Sequence, residues 1–153
     1  MKVLWEKEIP AKGIVVSPRP VWKCRSCPAY GKSPSCPPYA PSWMEAKELI
    51  KHYKRALLIK FEIDFEDFEN EKRKALEYIL KKEDELFKNG NFYTLALFPG
   101  NCNLCEECEF EKSGNCRMPN KVRPSIDAVG IELSKIVELN FSESVLYGLI
   151  LID

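Results

Sequence analysis

The apolar positions of this chain fall into short runs and helical stripes, separated by breaks rich in proline and glycine. Gly13–Ser17 and Val21–Lys23 predict short strands on either side of the breaker Pro18-Arg19-Pro20. Ser42-Trp43-Met44-Glu45 has the form of a capping box, and the stripe Trp43, Ala46, Ile50, Tyr53 predicts a helix ending near Tyr53. Ala56–Ile63 reads as a largely buried strand. A long helix follows, capped by Asp64 or Asp67 and running to about Lys88. Its inward stripe is Phe68, Ala75, Leu76, Ile79, Leu80, Leu86 and Phe87, and Asn89-Gly90 stops it. Phe92–Phe98 predicts a further strand. Pro124-Ser125 opens a third helix, to about Glu138, with Ile126, Val129, Leu133, Ile136 and Val137 on one stripe, and Val145–Ile152 is a last apolar strand. Gly130 sits inside that third helix, where it either breaks or bends it or lets another backbone approach closely.

Alternating strands and helices predict an α/β fold over residues 1–153: a single layered domain, with a mixed or mostly parallel sheet of about four strands, three helices and two Cys-rich loops. Both loops follow a predicted strand and precede a predicted helix. If those strands are parallel neighbours, both loops emerge at one sheet edge, where sites lie in open α/β sheets.

Composition narrows the class. The chain has 153 residues, enough to bury roughly two-thirds of its unfolded surface. Its formal net charge is zero, which argues against nucleic acid or a charged membrane as partner. The apolar runs are far shorter than a membrane span, and Met1–Pro10 has neither an apolar h-region nor a cleavage site, so a cytoplasmic location is expected.

The chemistry lies in seven cysteines. Cys24, Cys27 and Cys36 form one group, spaced C-x2-C-x8-C; Cys102, Cys105, Cys108 and Cys116 form the other, spaced C-x2-C-x2-C-x7-C. In a reducing cytosol, clustered thiols bind metal or do redox chemistry more often than they form a disulfide framework, and an odd count leaves one unpaired. Three thiols at successive x2 spacings, with a fourth further on, suit a 4Fe–4S cluster. Zinc is the rival, but its structural sites favour two knuckles joined by a longer spacer. The first group has only three thiols, in a loop stiffened by Pro28, Pro34, Pro37, Pro38 and Pro41. Its fourth ligand is left open between another loop, solvent, a substrate and His52, the one histidine, which falls on a polar helix face. Around the second group Glu106, Glu107, Glu109 and Glu111 oppose Lys112, Arg117, Lys121 and Arg123. Arg123 and Ser125, beside a predicted helix N-terminus, are candidates to bind an anionic cofactor or partner.

Together, C-x2-C-P-x-Y-G-K-x3-C-P-P and the downstream C-N-L-C-x2-C and C-R-x-P-x4-R-P-S-x-D-A-x-G-I resemble a family of predicted metal-binding proteins of bacteria and archaea. The resemblance covers most of the chain and takes in all seven cysteines with Pro37, Pro38, Arg123, Pro124, Ser125 and Gly130. It implies metal binding, iron–sulfur in type, and an anaerobic context; it implies no particular reaction. The preferred expectation is one or two 4Fe–4S clusters serving electron transfer to a redox partner protein, or reductive chemistry on a small-molecule substrate. A zinc-stabilised binding module and a thiol–disulfide protein using Cys24 and Cys27 are the alternatives. The P-loop, G-x-G-x-x-G, G-x-S-x-G and C-x3-C-x2-C motifs are absent.

Overall fold

The computed structural model describes residues 1–153. Strands β1 (Lys2–Pro10), β2 (Arg55–Glu62), β3 (Leu95–Leu97) and β4 (Val145–Leu151) form one sheet in the order β1-β2-β4-β3. Helices α1 (Arg19–Cys24), α2 (Trp43–Ile50), α3 (Phe68–Lys88) and α4 (Glu109–Ser113) complete the regular elements.

Every neighbouring pair of strands is antiparallel, which corrects the expected mixed or mostly parallel sheet. The apolar runs of β2 and β4 resemble parallel strands because both faces of the sheet are covered. On one face Ala56, Leu58, Leu149 and Leu151 pack with Ala46 and Ile50 of α2 and with Ile126, Val129 and Ile131. On the other, Ile59, Phe61 and Ile150 pack against Ala75, Leu76 and Ile79 of α3. That helix comes so close that a Cβ on Gly148 of β4 would lie 2.5 Å from Ile79 Cδ1.

The N-terminal elements differ from those expected. Val21–Lys23 is part of α1 rather than a strand, because Pro20 occupies the first turn of a helix, where no N–H is needed. Within Gly13–Ser17 only Val16 pairs, in a single antiparallel bridge with Ile131. The strand is instead β1, whose register shifts between Val3 and Trp5. The shift explains why Val3 packs on the α3 face while Trp5 and Ile9 pack on the other.

The expected third helix is also replaced. Residues after Pro124 form a parallel bridge between Phe98 and Ser125, a turn, the Val16–Ile131 bridge and a 3-10 turn at Leu133–Lys135. The apolar stripe does face the core, but its backbone is bound to other segments. Phe98 N–H donates to Pro124 O and Ile126 N–H to Phe98 O, extending the pairing beyond β3.

The capping box forms as read: Ser42 Oγ accepts from Glu45 N–H at 3.2 Å and Glu45 Oε2 from Ser42 N–H at 2.9 Å. Ser42→Ala is expected to cost about 1 kcal/mol, read as a lower urea midpoint with unchanged slope. No helix is long and apolar enough to cross a membrane.

Candidate metal centre

The second cysteine loop begins directly after β3 and Pro99-Gly100. Its start is fixed by α3, whose N-terminal half grips both residues flanking Cys102. Lys72 Nζ donates to Asn101 Oδ1 at 2.7 Å, Arg73 Nε donates to Asn103 O at 3.0 Å, and Asn103 Nδ2 donates to Glu69 O at 2.8 Å. Cys108 then stands just ahead of the short helix α4, and Gly114 ends that helix so that the chain turns back to Cys116. Cys102, Cys105, Cys108 and Cys116 consequently line one pocket, walled by Leu104, Phe110, Met118 and Val122. Such walls exclude water and lower the local dielectric. Burial pushes the Cys102 thiol up to about 11, and the charges of Cys116, Cys108 and Cys105 add to the rise. Crowded thiols of this kind resist ionising until a cation joins them. At the rim, Glu107 pairs with Lys112 at 2.9 Å and Glu109 with Arg117 at 3.4 Å; both pairs are exposed and contribute little to stability.

The first loop is a series of tight turns. Cys27 N–H donates to Cys24 O, Cys36 N–H to Ser33 O, and Gly31 N–H reaches across the loop to Pro37 O, each at 3.0 Å. Cys24 is the last residue of α1; Cys36 is buried and Cys27 exposed. Burial also raises Cys24 to about 11, with smaller contributions from the nearby Asp127, Cys36 and Cys27. Burial raises Cys36 in the same direction, with Cys27 adding to it. Cys24 thus feels the charges of Cys36 and Cys27 as well as that of Asp127, and Cys36 feels that of Cys27.

The two loops pack on each other although their strands are not parallel neighbours. Cys102 N–H donates to Ser33 Oγ at 3.4 Å, Ser125 N–H donates to Ser35 O at 3.0 Å, and the Tyr39 and Phe110 rings meet edge to face at 4.9 Å. Two buried side-chain atoms have no hydrogen-bond partner: Ser35 Oγ, next to Cys36, and Asn103 Oδ1, next to Cys102. A buried hydroxyl needs an acceptor, and metal-bound sulfur beside Cys36 would supply one. The donor set and this orphaned hydroxyl fit a thiolate-bound metal group. All seven cysteines are free thiols, and nowhere do three His, Cys, Asp or Glu side chains converge closely enough to hold a single ion.

Other expected participants are placed differently. Arg123 is engaged by Glu83 of α3, donating from Nη2 at 2.7 Å and from Nε at 3.1 Å, and by Asn120 O and Val122 O. Ser125 Oγ accepts from Ala128 N–H at 3.0 Å, and no helix begins there, so the helix-terminus argument for an anion at this point falls away. His52 is largely exposed and sits 3.6 Å from Glu48. The residues that sequence reasoning missed are Lys72 and Glu83. Both stand in the apolar register of α3, in line with Phe68, Ala75, Leu76 and Ile79. A charged residue in an inward stripe was the signal that could have found them.

No curated protein and no solved structure matches the chain. The sequence model of one family, described as predicted metal-binding protein (DUF2284), matches residues 7–146 and so takes in both cysteine loops. With seven thiols drawn into two adjoining loops, the chain belongs to that predicted metal-binding family.

Proposed function

We propose that the chain is an iron–sulfur protein of the cytoplasm. In this reading Cys102, Cys105, Cys108 and Cys116 hold a 4Fe–4S cluster, and Cys24, Cys27 and Cys36 form a second site with one position free of a protein thiol. The observation that carries it is the single apolar pocket lined by four thiols, no three of which converge closely enough to hold one ion. Zinc needs four sulfurs gathered at ~2.3 Å from one centre, whereas a cluster spreads its ligands over four corners. Bound there, a cluster supplies one-electron transfer, either to a docked redox protein or to a small molecule at the second site.

The chain's own residues would do the rest. Leu104, Phe110, Met118 and Val122 keep water from the sulfurs, and α3 holds Cys102 in place through Asn101 and Asn103. In the first loop Ser33 and Ser35, both buried, supply hydroxyls beside Cys36.

Anaerobic purification with iron, sulfide and zinc measured together tests this. About four iron and four sulfide per chain for each cluster are expected, giving a brown protein bleached by dithionite. Cys102→Ser should remove the first of these sets and Cys24→Ser reduce the remainder. A colourless protein with stoichiometric zinc makes the chain a zinc-stabilised module instead. Unchanged metal content in Cys24→Ser removes the second site from the proposal.

A further inference from the structure

Lys72 is 3% exposed, although a lysine that deep ordinarily has an anionic partner. It joins no ion pair. Its ammonium makes one hydrogen bond, to Asn101 Oδ1 at 2.7 Å, and the Phe68 ring lies 5.7 Å away. Glu69 acts on it only through space. An ammonium carries three donors, so two are unused in a nearly dry setting. The loop backbone passes directly over it: a Cβ built on Gly100 would lie 3.4 Å from Nζ.

Thiols of both loops act on this cation through space. Those of Cys36 and Cys27, from the first loop, and Cys102, from the second, all lie within electrostatic reach of it. The loops themselves meet at the same place through Ser33 and Cys102. One buried positive charge thus stands between two sets of residues that become anionic on ligating metal. Resting on the metal-binding reading above, we infer that Lys72 is a shared counter-cation, whose ammonium offsets the negative charge of the thiolate-bound metal in both loops. The arrangement accounts for a lysine in an apolar stripe: its partner is the loaded site, and Asn101 holds the amine in register with it.

The shared role gives two effects of opposite sign. Lys72→Met keeps the length of the side chain and removes the charge. With metal bound, the variant is expected to lose iron, sulfide or zinc to a chelator on the order of tenfold faster than the parent chain. The faster loss should appear both in a Cys102→Ser background, which reports the site of Cys24, Cys27 and Cys36, and in a Cys24→Ser background, which reports the site of Cys102, Cys105, Cys108 and Cys116. With metal stripped, the same full-length variant should unfold at a higher urea concentration than its parent, because an unpaired buried ammonium is gone. Unchanged retention, or faster loss in one background only, overturns the inference while leaving metal binding intact. A lower urea midpoint for the stripped variant, or its failure to fold, also overturns it, since the Lys72–Asn101 bond is then purely structural. A parent chain that takes up no metal defeats the metal-binding reading itself, and this inference with it.

Discussion

Glu83→Ala is expected to destabilise the protein by about 3–5 kcal/mol, the range for breaking one side of a buried ion pair. Glu83 is a buried carboxylate on α3 that serves two partners at once. It accepts from Arg123 Nε and Nη2 and from the backbone N–H of Ala96, which points away from β4 on the outer edge of β3. Alanine would leave a guanidinium that is three-quarters buried without its counter-charge and an edge N–H without an acceptor. A fall in melting temperature of roughly 10 °C follows for a chain of this size. Glu83→Gln keeps the shape and one acceptor, so it should fall between the two. If alanine shifts the melting temperature by less than a couple of degrees, the pair is not holding β3 to α3.

Gly130→Ala should be nearly as damaging, at roughly 2–5 kcal/mol, for a different reason. Gly130 has φ +81°, and a Cβ there would lie 2.4 Å from Ser17 O and 2.6 Å from Trp43 Cβ. The nearer obstacle is backbone, which cannot swing aside. Ser17 N–H donates to Gly130 O at 2.8 Å, so the segment leading into α1 would be forced off, and α1 ends at Cys24. Gly90→Ala is the control: φ is +102° with nothing within 4 Å, and only the backbone cost of about 1 kcal/mol is expected. Equal urea midpoints for the two variants would mean that the close approach at Gly130 is unimportant.

Gly130 also shows where a sequence is readable and where it is not. Ile126, Val129, Leu133, Ile136 and Val137 carry a helical stripe, and they do pack against the core. Their spacing records which side chains go inward, but not that Phe98 and Val16 claim the intervening backbone. The same limit hid strand direction. β2 and β4 are apolar on both faces because two layers cover them, and that pattern is blind to the sense of the chain. Where a segment is long and its caps are local, as in α2 and α3, pattern and structure agree within a few residues. β1 went unread because charged residues occupy most of its exposed face and its register shift breaks the alternation. For the site, the cysteine spacing foretold two groups, and the adjacency expected from parallel strands rests instead on Ser33, Ser35 and the α3 residues beneath Cys102.

The order of strands in the sheet sets a schedule. β4 is the last strand in the chain, yet it lies between β2 and β3, and β3 has no other strand to pair with. During synthesis β3, and the cysteine loop launched from it, therefore have no sheet to join until some fifty residues later. All seven thiols emerge before the strand that locks their scaffold. The pocket lined by Cys102, Cys105, Cys108 and Cys116 has its full scaffold only once β4 has been made, so a metal group held there would be enclosed late, after the thiols themselves have emerged.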